Sequence, residues 1–235
     1  MATFAFRFGH SLIPNFFKPA AQPLDTMNDI CPLKDNFFQF EEFVVGKDFS
    51  GKAWQNLLLG ISSSQSPPMD AKLSDHISNF LFCESDCDLS QGFGQDLAAR
   101  NIQRGRDHGL PGYVKYREFC GLTIPTNWAD KPAEISQKNW DNMRSVYTNV
   151  TDIDAFTGSM SEKSVAGGIV GPTIACILGT QFKNLKEEDR FFFSHKSHGS
   201  KNEKGLSTRL RILVRNQRLS DVLCNNIQGK ESIRS

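Results

Sequence analysis

Six side chains able to donate, accept or ionise stand within one octet, Asn101-Ile102-Gln103-Arg104-Gly105-Arg106-Asp107-His108, and Gly109-Leu110-Pro111-Gly112-Tyr113 follows directly. Charge density alone reads as a solvated face. A second stretch, Ala5-Phe6-Arg7-Phe8-Gly9-His10-Ser11-Leu12-Ile13, sets one cation and one imidazole three residues apart in apolar surroundings. Residues i and i+3 share a helix face, so Arg7 and His10 can address one object, and Asn101 and Arg104 repeat that spacing. Taken singly, His10 reads as a core histidine satisfied by a neighbour. His195 and His198 lie in the polar run from Ser194 to Gly205 with Glu203 as its carboxylate, and with no cysteine near them they read as exposed loop residues. The six cysteines, Cys31, Cys83, Cys87, Cys120, Cys176 and Cys224, form no paired CxxC framework for a metal.

The elements that must position these groups read as helices. Residues 2–17 carry apolar groups on most sides and predict a helix broken by Pro14 and ended before Pro19. Residues 18–50 predict a loop with one short helix, and Trp54 to Gly60 a short apolar helix before the polar run Ser62 to Pro68. A helix over 74–83 is expected with Ser74 as its cap, and Asp96 is placed to cap the Asn101 helix. Gly109 to Gly112 ends that helix, Tyr113 to Phe119 starts the next, and Trp140 to Tyr147 predicts another. Ile153, Phe156 and Met160 form a core stripe on the helix opened by Asp152 and Asp154. Residues 171–182 predict a buried helix with Pro172 near its first position, and Ser207 to Leu223 a last helix capped by Ser207. The reading is mainly α, a multi-helix domain fragment with long irregular loops and little β.

The sequence has 235 residues, enough to bury roughly 70–75% of the unfolded surface. A formal net charge of +1 gives no field that argues for nucleic acid or an anionic membrane. No stretch approaches the roughly 20 apolar residues of a transmembrane helix. The first residues, Met1 to Phe8, lack a basic region followed by an apolar one, so they do not read as a secretory signal. Asn149-Val150-Thr151 is a glycosylation triplet that matters only in a secreted protein.

The order of residues from Asn101 to Leu122 closely resembles the signature of the animal haem peroxidases, and Ala5 to Ile13 looks like the proximal-histidine helix of the same family. Asp152 to Phe156, Gly171 to Phe182 and Asp189-Arg190-Phe191-Phe192 also resemble it, so the likeness runs from Ala5 to Cys224 and makes residues 1–235 one partial peroxidase domain. The resemblance implies a b-type haem, iron protoporphyrin, which some members of the family modify covalently. It makes His10 the axial iron ligand, Asn101 its orienting partner, and Arg7 and Arg104 the partners of haem propionates. The Asn101 carbonyl suits an imidazole N–H, which fixes ring tautomer and direction. It further implies a Cys120–Cys176 disulfide and so an oxidising, secreted or extracellular setting.

Hydrogen peroxide and a small electron donor are the substrates that this resemblance implies, with a part in the response to oxidative stress. The family's distal His and Arg, and its calcium ligands, lie upstream of the proximal helix. None of His76, His108, His195 or His198 sits in a comparable motif, so no catalytic residue is expected here and the chain reads as the proximal half. Two alternatives stay open: a non-catalytic adhesion or interaction module, and an unstable fragment.

Overall fold

The helix that carries Asn101 is bounded by its own local signals. Asp96 Oδ1 accepts from the Ala99 amide at 3.1 Å, satisfying one of the amides that a helix start leaves unpaired. At the far end the Leu110 amide returns to the Gly105 carbonyl and the Gly109 amide to Arg106, with Gly109 at φ +59°. Glycine takes that left-handed turn without a Cβ penalty.

A computed structural model describes residues 1–19, 31–39, 41, 53–84, 94–195 and 205–226. In chain order these form a 3-10 helix, Ala5–Leu12; strands β1, Phe16–Phe17, and β2, Cys31–Pro32; a 3-10 turn, Leu33–Asp35; helices α1, Ala53–Ser63, α2, Asp75–Ser78, α3, Leu97–Asp107, α4, Tyr113–Phe119, and α5, Gln137–Val146; a 3-10 turn, Val150–Asp152; and helices α6, Ala155–Met160, α7, Pro172–Glu187, α8, Thr208–Asn216, and α9, Leu219–Asn226. The strands pair antiparallel, Phe16 opposite Pro32 and Phe17 opposite Cys31. The fold is mainly helical.

Helix α6 is the hub. Five of its six residues, Ala155, Phe156, Gly158, Ser159 and Met160, are buried, and it packs against α3, α4, α7 and the first 3-10 helix. Phe4, Ala5, Met69, Val170 and Ile174 join it in one core cluster; Tyr113, Ile135, Trp140, Met143, Val150 and Ile153 form a second. Position 158 admits no side chain, because a Cβ there would stand 2.3 Å from the Tyr113 ring. The expected stripe of Ile153, Phe156 and Met160 is buried throughout.

Several expected elements differ. Residues 2–17 form a 3-10 helix and a strand in place of one α-helix; Pro14 has no N–H to extend the helix, and an apolar sequence on all sides does not distinguish three residues per turn from 3.6. The helix expected over 74–83 ends at Ser78, because Leu81 exchanges backbone hydrogen bonds with Gln95. Ser74 stands at its cap position, but the hydroxyl donates to Asn15 Oδ1. Helix α1 continues past Gly60 into the expected polar loop. The last helix is two, α8 and α9: Gln217 is extended and Asp221 Oδ2 accepts from the Arg218 amide at 2.8 Å, capping a new start. Helix α7 opens on Pro172 as expected but runs to Glu187, and only Thr173 and Ile174 of it are buried. The expected loops over 18–50, 83–95 and 194–205 fall in large part outside the described residues.

Candidate functional site

Phe4 and Ala5, 2% and 0% exposed, seat the first 3-10 helix on α6 and α7. In a helix of three residues per turn, side chains at i and i+3 eclipse, so Arg7 and His10 project on one side, both half-buried. Opposite them α3 brings Asn101, 1% exposed. The Asn101 side chain joins the two: its Oδ1 accepts from Arg7 Nη1 at 2.8 Å and its Nδ2 lies 2.9 Å from His10 Nδ1. The amide atom facing His10 is therefore the nitrogen, not the carbonyl that the sequence suggested. Arg7 has taken the carbonyl.

Burial holds the His10 pKa below its ordinary value, and the Arg7 guanidinium beside it lowers it further, against an opposing hydrogen bond from Asn101. At neutral pH the ring is uncharged, and with Asn101 Nδ2 donating to Nδ1 its proton sits on Nε2. Arg7 is itself held below its usual value by burial, then by Arg104 and then by Arg100. Arg104 and Arg100 are exposed on α3 one turn apart. Among the described residues no carboxylate forms a salt bridge with Arg7, Arg100 or Arg104. Arg7 Nε is buried with no hydrogen-bond partner, an orphan that native structures seldom tolerate. Three cations and one unpaired donor thus gather beside a neutral imidazole. Arg100 was not among the residues that sequence reading picked out, although its i, i+4 spacing to Arg104 was the available signal.

The family model for the animal haem peroxidase matches residues 1–235. This chain belongs to the animal haem peroxidase family. It is similar to the Caenorhabditis elegans protein named peroxidasin homolog pxn-2, 34% identical over 227 residues that cover 96% of this chain and 16% of that protein. It is also 32% identical to Sus scrofa thyroid peroxidase over 235 residues, covering 94% of this chain and 24% of that one. Among solved structures it resembles peroxidase A of Dictyostelium discoideum, with a TM-score of 0.72 and 26% identity, covering 99% of this chain and 41% of that one. This chain thus spans less than half the length of these relatives.

Two further features tie the helices together. A disulfide joins Cys120, just past α4, to Cys176 in α7, with S–S 2.08 Å and Cα–Cα 6.0 Å. Beside it the Glu162 carboxylate, buried, accepts from Tyr113 Oη at 2.7 Å, Arg117 Nη1 at 2.8 Å, Thr173 Oγ1 at 2.6 Å and the Thr173 amide at 2.9 Å. Burial and then the Glu162 charge push the Tyr113 phenol far above its usual range, so it remains a donor. This buried ion pair, with both carboxylate oxygens hydrogen-bonded, ties α4 and the start of α7 to the segment that follows α6. His76 is buried in a structural setting: its Nδ1 accepts from the Lys34 amide at 3.3 Å and its ring meets Phe16 and Phe80 edge-on. His195 packs on Phe192, and His198 and Glu203 lie outside the described residues.

Proposed function

We propose that this chain supplies the proximal, haem-binding side of a peroxidase that reduces hydrogen peroxide and oxidises small donors. The observation that carries the reading is the buried, unpartnered Nε of Arg7 next to a neutral His10. Haem fits this donor set: an axial imidazole for its iron, and Arg7 and Arg104 for its propionates, with Arg100 adding positive charge. When bound, the group supplies the redox-active iron at which peroxide is reduced to water.

The chain's own residues prepare that binding. Asn101 Oδ1 is held by Arg7, which leaves the amide nitrogen to donate to His10 Nδ1. An imidazole that ligates through Nε2 instead needs a proton on Nδ1 and an acceptor for it. When Arg7 turns its guanidinium toward a carboxylate, Asn101 is released, its amide can rotate, and the carbonyl then accepts from His10 Nδ1–H. Carboxylate capture by Arg7 and tautomer choice at His10 are thereby linked through one amide.

The acid–base groups that act on peroxide, and any calcium ligands, belong in this reading to the remainder of a longer peroxidase domain. The Cys120–Cys176 bond favours an oxidising, secreted setting, and a role against oxidative stress follows from peroxide consumption. The haem is taken as b-type. Titration of the chain with haem tests the proposal: a shifted Soret band is expected, lost in His10→Ala. Identical spectra for the two would overturn it.

A further inference from the structure

We infer that Asn149 is an attachment site for an N-linked glycan. The inference rests on the secretory setting proposed above. The sequence holds one Asn-X-Ser/Thr triplet, Asn149-Val150-Thr151, with no proline at its centre. The fold sorts its three side chains in the way that modification requires. Asn149 and Thr151 are exposed, whereas Val150 is 2% exposed and sits in the second core cluster. The buried valine pins the loop between α5 and α6 and leaves the amide at the surface.

The hydrogen bonding of Asn149 is compatible with substitution. Its backbone N–H donates to Asp152 Oδ2 at 3.0 Å and its side-chain Nδ2 to the same oxygen at 3.2 Å. The side-chain amide carries two N–H groups. Asp152 uses one, and the other is free for replacement by a sugar, so a glycosylated Asn149 retains the bond that closes its turn.

The transfer needs a co-reactant of the secretory pathway, an oligosaccharide carried on a polyprenyl diphosphate. Asn149 Nδ2 forms a bond to the anomeric carbon and gives up one proton. The bond from that carbon to the diphosphate oxygen breaks, and the oxygen leaves with the electron pair. Nothing is oxidised or reduced. The Thr151 hydroxyl supplies the element that the transferase reads.

The full chain, sent through the secretory pathway of a eukaryotic host behind a cleavable leader, tests this directly. We expect slower migration on a gel, reversed by a peptide-N-glycosidase. In heavy-oxygen water that enzyme should leave a labelled aspartate at position 149. Thr151→Ala keeps Asn149 and both its bonds to Asp152 and should lose the shift, whereas Thr151→Ser should keep it. Secreted wild-type chain with an unmodified Asn149 would overturn the inference. Because the leader imposes the compartment, this result is independent of the compartment reading, which fails instead if protein from its native source carries Cys120 and Cys176 as reduced thiols.

Discussion

At the scale of single residues, Asn101 is the pivot between the Arg7 guanidinium and the His10 imidazole. Its carbonyl gives Arg7 a charge-assisted bond, of a kind worth about 1.5–3 kcal/mol. Arg7→Leu would free that carbonyl for His10 but would also remove a partner for a haem carboxylate. The second loss should win, because charge-to-carboxylate contacts exceed a neutral amide–imidazole bond. A haem titration followed at the Soret band should show affinity lower by roughly 10- to 100-fold, and unchanged affinity would refute the role given to Arg7. His76 gives a different kind of prediction. Burial holds its pKa below the ordinary value, and the Lys34 charge acts in the same direction while Asn15, Asp75 and Asp35 oppose it. The unfolded chain, with His near 6.5, therefore takes up a proton before the folded one does. The stability contributed by neutral His76 is complete above about pH 6.5 and is lost as pH falls through the lower folded value. His10 is shifted in the same sense. Urea unfolding of wild type and His76→Gln between pH 7.5 and pH 5 should show a steeper acid loss in wild type.

At the scale of elements, what the sequence made legible was whatever its neighbours in the chain decide. Asp96 capping α3, Gly109 ending it and Pro172 opening α7 all act within a few residues. The early stop of α2 depends on Gln95, and Ser74 loses its capping role to Asn15, 59 positions away. Arg117 and Glu162 are 45 positions apart, and nothing in local pattern announces that pair. The same limit applied at the site: spacing put Arg7 and His10 on one helix face, and the family resemblance implied that Asn101 meets His10, but which amide atom faces His10 is set by competition in space. The Cys120–Cys176 bond is where element-scale stability is most open to test. It closes a loop of 56 positions, worth about 4 kcal/mol on the chain-entropy account. It ties the end of α4 to α7, and α7 supports the 3-10 helix bearing His10. Mild reduction, or Cys120→Ala with Cys176→Ala, should lower the unfolding free energy by about that amount and weaken haem binding. Loss of stability with haem affinity intact would show that α7 does not support the His10 helix.

At the scale of the whole molecule, the uncovered surface points to what the chain works with. No residue of α8 or α9 is buried, yet Leu213 and Leu219 are 56% and 74% exposed, and on α7 Phe182 and Leu185 are 54% and 48% exposed. Apolar faces of this kind usually meet another surface, and the peroxidase relatives extend well beyond the span of this chain. In the function proposed above, Arg7, His10, Asn101 and Arg104 would bind and orient the haem, and none of them would act as an acid or base toward peroxide. General acid–base assistance is typically worth about 10²–10⁴ in rate, and a site with an imidazole on one side alone forgoes it. Haem-loaded chain should therefore oxidise a phenolic donor no more than about tenfold faster than free haem, a difference of some 1.4 kcal/mol in barrier. Stopped-flow measurement with hydrogen peroxide decides the matter. A rate enhancement of several hundred-fold would mean that the acid–base group lies within these 235 residues, and the division of labour proposed between this chain and the rest of the domain would have to be abandoned.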